Sequence, residues 1–365
     1  MGATTPGLVC GHHHLYSTLA RGMPAPPRQP TGFLSILEQV WWRLDAALDL
    51  DMLRASARLG ALEALECGTT AIIDHHESPN AIEGSLSVIA DACAEVGVRV
   101  VCAYGATDRW ASDGTPSPSM STSSWSVPPP RMTDAARRGL AECSRFIKAG
   151  GRGMVGLHAG FTCSDETLAA AADLAARLGV GVHVHVAEGP IEPDVASRLA
   201  ALTTDDWLLV HGVHLPESAS LRGTIAHNPR SNMNNSVGYA RPTRFARSNP
   251  IVLGTDGIGA DMLEEFRLAF VRLREYDVLE TPDTVWSWLE AGWSLVPEAR
   301  GDVVTWNYDH ADSPWHVAFS PGIRATDVVR ADGTVLLRSG VAALVDPAEI
   351  RAHADEQSAR LFARL

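Results

Sequence analysis

The feature that most constrains this chain is an alternation. Eight short apolar or β-branched runs recur along it: PGLVCGHHH (6–14), TTAIIDHHE (69–77), VRVVCAYGAT (98–107), MVGLHAGFT (154–162), GVHVHVAE (181–188), WLLVHGVHL (207–215), GTIAHNPRSN (223–232) and IVLGTDGIG (251–259). Between them lie longer stretches of helical periodicity. EQVWWRLDAALDLDMLRASARLGALEALECG, NAIEGSLSVIADACAEVG and DETLAAAADLAARLG each end in glycine, a residue common just past a helix C-terminus. Repeated strand–helix units imply a parallel sheet, and eight of them imply a closed (β/α)8 TIM barrel, here expected over residues 1–295. Beyond it, GDVVTWNYD and RATDVVRADGTVLLRSG read as strands, the second pair joined by the hairpin dipeptide Asp332-Gly333. These strands occupy 296–345, and a helix is expected over 346–365.

Composition narrows the function. The 365 residues are 45% hydrophobic and 20% charged with a net charge of −13, the profile of a soluble globular protein with a large core. That acidity, without any basic stripe, argues against a nucleic-acid partner and leaves small neutral or cationic substrates open. The six cysteines are scattered, with no C-x-x-C spacing, and read as reduced core thiols suited to the cytoplasm. No apolar run is long enough to span a bilayer, and the N-terminus carries no leader pattern, so the expected location is cytoplasmic, away from membranes.

Unusual residues gather at the strand ends. His14, His76, His158, His185, His211, His227 and Asp256 all fall at or near the C-terminal ends of their runs, the rim that carries the active site in such barrels. In GHHHLYS (11–17), side chains two apart on a strand share a face, so His12 and His14 can converge on one ion while His13 points away. Spacing alone leaves a basic surface patch or a tag remnant open, although the preceding Pro6-Gly7-Leu8-Val9-Cys10 looks like a strand.

As an ordered set, PGLVCGHHHLYSTLARGM, WWRLDAAL, DHHESPN, GLHAGFTCSDETL, HVHVAEG, HGVHL, HNPRSNMNNSVGY and LGTDGIGADMLEEFRLA resemble the metal-dependent amidohydrolase superfamily. The likeness is strongest to its cytosine-deaminase and triazine-hydrolase (ATZ/TRZ) branch, and within that to the SsnA-type aminohydrolases. The resemblance implies that His12, His14, His185 and Asp256 bind one divalent metal, Zn²⁺ or else Fe²⁺. Three imidazoles and a carboxylate leave a position for water, as a catalytic site requires. Two-metal relatives bridge their ions with a modified lysine on the fourth strand; MVGLHAGF has none, so one metal is expected.

The same resemblance implies roles. Metal-bound water, its pKa lowered to roughly 7, would pass a proton to Asp256 and attack an electrophilic carbon. Glu188 would protonate a ring nitrogen and then the departing amine. His211 would orient the attacking hydroxide and stabilise the developing charge. His158, His76 and His227 are expected near substrate, His158 foremost as a hydrogen-bonding partner; His13, His75 and His214 are read as packing or supporting residues. His183 forms a second H-x-H with His185 and is expected lower in the barrel.

Two departures stand out. Relatives carry an N-terminal stretch whose strands complete a small β-sandwich with the C-terminal ones, whereas this chain enters its first barrel strand almost at once, so the side domain is expected to be incomplete. DRWASDGTPSPSMSTSSWSVPPPRM (108–132) is Ser/Pro-rich, leaves the rim and contains Trp110 and Trp125; it is read as a lid whose tryptophans, Trp125 above all, pack on a flat substrate. The connection after Glu188 is also short, which weakens family-based guesses about substrate.

The function expected is a hydrolytic deaminase that exchanges an exocyclic amine of a purine, pteridine, pyrimidine or related heterocycle for oxygen. One alternative keeps the machinery but releases chloride or alkylamine from a triazine, or ammonia from an acyclic imine; another is a metal-binding protein that has lost catalysis. A homodimer or larger homo-oligomer is expected from the resemblance.

Overall fold

The computed structural model describes residues 2–117, 128–192 and 194–365. A short strand β1 (Thr4–Pro6) precedes β2 (Leu8–His14), β3 (Thr69–His76), β4 (Arg99–Ala106), β5 (Val155–Ala159), β6 (Val182–Val186), β7 (Leu208–His211), β8 (Thr224–His227), β9 (Ile251–Leu253) and β10 (Asp256–Gly257). From β2 to β9 each strand pairs parallel with the next in chain order. The two-residue β10 pairs parallel with β2, setting Asp256 opposite His13. Only Gly254 and Thr255 separate β9 from β10, so the two are halves of one interrupted eighth strand, and their pairing closes the barrel.

The interruption is tied down on both sides. Gly254 N donates to His227 O at 3.0 Å and Thr255 N to His12 O at 3.1 Å. Glycine is required at 254: a methyl group there would stand 2.4 Å from Asn228 Oδ1 and 2.7 Å from His12 O.

Helices cover the barrel and begin where the sequence offers caps. Asp49 Oδ1 accepts from Met52 N at 2.9 Å ahead of Leu50–Glu66, and Ser164 Oγ from Thr167 N at 3.2 Å ahead of Asp165–Leu178. Gly97 and Gly179, with φ of 94° and 67°, end the helices before them. The long helical pattern from Glu38 onward is broken at Leu48, whose extended backbone (ψ 144°) allows Asp49 to cap. Within its first part, Leu37–Trp41 winds as a π-helix, a form often found at functional sites.

A second sheet lies beside the barrel in the order β1-β11-β12-β13-β14, its later strands being β11 (Val303–Trp306), β12 (Ala325–Val329), β13 (Val335–Arg338) and β14 (Val341–Ala342). The Asp332-Gly333 hairpin joins β12 to β13, with Gly333 at φ 87°. Thr4–Pro6 pairs antiparallel with Val303–Thr305, so the N-terminal residues supply an edge strand to this sheet before the chain enters the barrel. The helix Pro347–Phe362 follows and buries Ile350, Ala354 and Leu361 in the main core.

Three apolar groups result. The largest fills the space between barrel and helices. Val9, Ala71, Ile73, Leu208, Val210, Ala226 and Val252 pack inside the barrel. Phe33, Leu37, Trp42, Trp110, Phe161, Val213 and Val237 form a separate cluster beyond the strand ends. Among the described residues, no helix is long and apolar enough to cross a membrane.

Candidate active site at the carboxyl rim of the barrel

Strand alternation decides which rim side chains face inward. On β3, Ala71 and Ile73 face the interior, so His75 does as well, and His76 turns outward against the rings of Tyr16 and Tyr104. On β8, Ala226 faces in and His227 faces out, between Tyr239 and Trp288. Neither His76 nor His227 lines the cavity, whereas His75 does. His76 and His227 were expected near substrate; His75, expected to pack or support, lines the cavity and pairs its Nε2 with Leu157 O at 3.0 Å.

On β2 a perfect pleat would put Val9 and His12 on opposite faces. The register against β3 slips between Cys10 and His13, leaving one extra residue on β2. That bulge lets Val9 and then His12 and His14 all face the interior. His13 leaves the site, its Nδ1 bonded to Thr255 Oγ1 at 2.8 Å. His211 and Asp256 reach the site by another route: each lies at a strand end with positive φ, 71° and 57°. Backbone held in that strained region is a recurrent property of active sites.

The four expected ligands converge. Asp256 Oδ1 lies 3.2 Å from His12 Nε2 and 2.9 Å from His14 Nε2, and His185 Nε2 lies 3.2 Å from His14 Nε2. One ligand atom from each of the four residues falls within 4.8 Å of every other. The opposite ring nitrogens are all engaged: His14 Nδ1 donates to His75 O and His185 Nδ1 to His158 O, both at 2.5 Å, while His12 Nδ1 pairs with His183 Nε2 at 2.8 Å. Each tautomer therefore presents Nε2 inward, the usual support of a metal-binding histidine.

Charge agrees with this set. Burial holds His12 well below the ordinary imidazole range and His185 near 3, so both are neutral ligands. Burial also acts against a charge on His14, yet its bonds to the Asp256 carboxylate push it up to about 9. The Asp256 carboxylate thus favours a positive charge beside it, and a divalent cation has the sign and donor set to fit there.

Three further groups face the same point. His211 Nδ1 bonds Asn232 Oδ1 at 2.8 Å, which leaves Nε2 at 3.6 Å from both Glu188 Oε2 and Asp256 Oδ2. Asn235 Nδ2 donates to Glu188 Oε1 at 3.3 Å. Burial raises the Glu188 carboxyl above its ordinary range, against the pull of His211. A cavity of about 210 Å³ opens from these atoms, walled by Trp41, Trp42, Phe161 and Ile258 among others.

His158 lines this cavity as expected, with Nδ1 on Thr162 Oγ1 at 2.8 Å and Nε2 against Arg109 Nη1 at 3.3 Å. His183 sits behind His12 rather than in the cavity. His214 bonds Val237 O at 2.7 Å, a supporting role. Trp125 lies outside the described residues. Trp110 is buried, and its Nε1 donates to Glu77 Oε1 at 2.8 Å, so it is fixed in the wall. The sequence reading missed Trp41, Trp42, Asn232, Asn235 and Glu192. Asn232 and Asn235 stood in the quoted stretch HNPRSNMNNSVGY, where polar residues just past a strand end were a usable signal.

A TIM barrel whose carboxyl rim joins three histidines and an aspartate to a partly buried glutamate is the architecture of a metal-dependent hydrolase. Residues 3–291 match the amidohydrolase family, and the chain belongs to it. It is 30% identical over 320 residues to 8-oxoguanine deaminase of Pseudomonas aeruginosa, a match covering 79% of this chain and 68% of that protein. With 5'-deoxyadenosine deaminase of Methanopyrus kandleri the identity is 31% over 291 residues, 72% of this chain and 60% of the relative. In structure it resembles the zinc-bound adenosine deaminase of Xanthomonas campestris, with a TM-score of 0.78, 20% identity and coverage of 98% of this chain and 86% of that one.

Proposed function

We propose that this protein is a hydrolytic deaminase that takes an aminated N-heterocycle and water to the oxo-heterocycle and ammonia. The observation that carries this reading is the placing of a partly buried carboxyl, Glu188, whose hold on a proton is strengthened by desolvation, beside His211 and Asp256 at the ligand cluster. An amine leaves poorly and needs an acid at hand; chloride would not.

Zinc is the proposed ion, held by His12, His14, His185 and Asp256, and when bound it supplies Lewis acidity toward water. Asp256 uses Oδ1 toward the ligand histidines and has Oδ2 turned to His211, placed to accept the proton of the attacking water. His211, fixed by Asn232, points Nε2 at both carboxylates and orients that water. Glu188 begins protonated and gives its proton to a ring nitrogen as the carbon becomes tetrahedral. Reprotonated from the Asp256 side through His211, it then delivers a proton to the departing amine. Trp41, Trp42 and Phe161 give the ring apolar walls that keep bulk water from the reacting atoms.

The test is ammonia release by zinc-loaded protein across aminated purines, pteridines, pyrimidines and triazines, with Glu188→Gln as the blank. Release that the variant abolishes is the expected result. Silence from folded, zinc-loaded protein on every ring would overturn the reading.

A further inference from the structure

A charge cluster in the cavity wall takes no part in the chemistry above. The guanidinium of Arg109 lies between the rings of Trp42 and Trp110, 4.4 and 4.6 Å from their centroids. Its Nη2 donates to Asp45 Oδ2 at 2.8 Å and to Glu77 Oε1 at 2.5 Å, and Trp110 Nε1 donates to that same Glu77 oxygen. The side chains of Arg109 and Glu77 are each only 2% exposed and that of Asp45 3%. Two buried carboxyls therefore share one guanidinium, and a proton or a donor must compensate the second.

The other Glu77 oxygen shows where such a donor belongs. Thr162 Oγ1 donates to Ala159 O at 3.1 Å and so accepts from His158 Nδ1, which leaves His158 Nε2 as a lone pair that accepts from Arg109 Nη1. Glu77 Oε2 lies 3.5 Å from that lone pair and has no hydrogen-bond partner. Lone pair facing lone pair is not a bond. Glu77 and Asp45 nonetheless both line the cavity. An ion-pair network that served only the fold would be expected to satisfy its buried oxygens, because an unpaired one is costly.

We propose that Glu77 Oε2 is the acceptor of a specificity subsite that receives a planar, amidine-like N–H edge of the substrate, distinct from the amine that leaves. The class of substrate is then an amino-heterocycle with a second donor edge, an adjoining ring N–H and amine or a protonated ring nitrogen. Burial pushes Glu77 up to about 8, so its ionised form lacks compensation, which an N–H edge or a cation reaching Oε2 would supply. Arg109 and Asp45 hold Glu77 in place, and Trp42 carries the apolar wall across to the ring. The identity of the substrate rests on the deaminase reading; the acceptor itself is tested without turnover.

The experiment is calorimetry on zinc-loaded protein with benzamidinium, which offers N–H donors on both nitrogens, and benzamide, which offers one donor and one acceptor. Wild type is expected to prefer benzamidinium by about tenfold or more. In Glu77→Gln the amide keeps its oxygen on Arg109 and Trp110 and turns its NH₂ to the cavity, so the preference should reverse. An unchanged preference, with zinc content and Tm as in wild type, overturns the proposal. If the variant does not fold, N-methylated benzamidinium on wild type decides instead: loss of N–H donors at constant charge should cost about tenfold, and indifference overturns the proposal. Ammonia release intact with the preference missing defeats this inference alone; the preference intact with no release on any ring defeats the deaminase reading alone.

Discussion

His183 stands behind His12, its Nε2 2.8 Å from His12 Nδ1. The other two ligand histidines lean on main-chain carbonyls, so His12 alone is oriented by a second imidazole. The remaining ring nitrogen, His183 Nδ1, is buried and has no hydrogen-bond partner among the described residues. An unpaired polar atom at this depth is costly, and the orientation of His12 is what offsets it.

His183→Ala should therefore weaken zinc binding by roughly 10–100-fold while leaving the fold in place, as loss of a partner that orients a ligand does elsewhere. His183→Gln, whose amide oxygen can still accept from His12, should recover part of the loss. Competition with a chromogenic chelator measures both.

Glu188→Gln keeps the size of the side chain but has no proton to give. Its kcat and kcat/KM should fall together by about 10²–10⁴-fold, the mark of an interaction made in the transition state. Zinc content should be unchanged, because Glu188 is not among the four ligands. Steady-state kinetics with metal analysis checks this.

Much of this site was legible before the fold was known, and particular residues show where legibility stopped. The eight apolar runs became β2 to β10, the last of them split in two, because continuous apolar and β-branched content is a local property of strands buried on both faces. His12, His14, His185 and Asp256 were picked out as a set by the family resemblance, with which the rim placement of His14, His185 and Asp256 agreed. That His75 rather than His76 lines the cavity follows from the alternation with Ala71 and Ile73, which was present in the sequence but was not carried to the end of the run. The bulge in β2 depends on β3 and Thr255, which no local pattern shows. Trp41 and Trp42 were quoted in a helical stretch and in a family-matching one but given no role, since nothing in the periodicity marks the π-helical turn that ends at Trp41. Thr4–Pro6 went unread as a strand because its only partner, Val303–Thr305, lies about 300 residues away.

Asn232 is the sole acceptor for His211 Nδ1 among the described residues. Asn232→Leu should cost about 1–3 kcal/mol of transition-state stabilisation, roughly tenfold to a hundredfold in kcat, by releasing the ring from its tautomer. Zinc affinity should not change. A fall in affinity equal to the fall in kcat would place His211 among the ligands instead.

Glu192 gives a pH signature. Burial raises its carboxyl from 4.5 to about 8, while Ala187 N donates to its Oε2 at 3.3 Å. The folded protein therefore keeps a proton that the unfolded chain has released, so this contribution is complete below about pH 4.5 and is lost as pH rises toward 8. Glu192→Gln is neutral throughout and escapes that loss. Its Tm relative to wild type should rise by roughly a few degrees between pH 5 and pH 8, followed by thermal melts across that window.

The central claim is hydrolysis of a C–N bond at a centre that holds one ion through His12, His14, His185 and Asp256. The most direct measurement is the rate of ammonia release as metal-free protein is titrated with zinc. The rate should rise linearly and break at one equivalent, with His185→Ala abolishing the rise. A break at two equivalents, or a rate indifferent to zinc, would contradict the account.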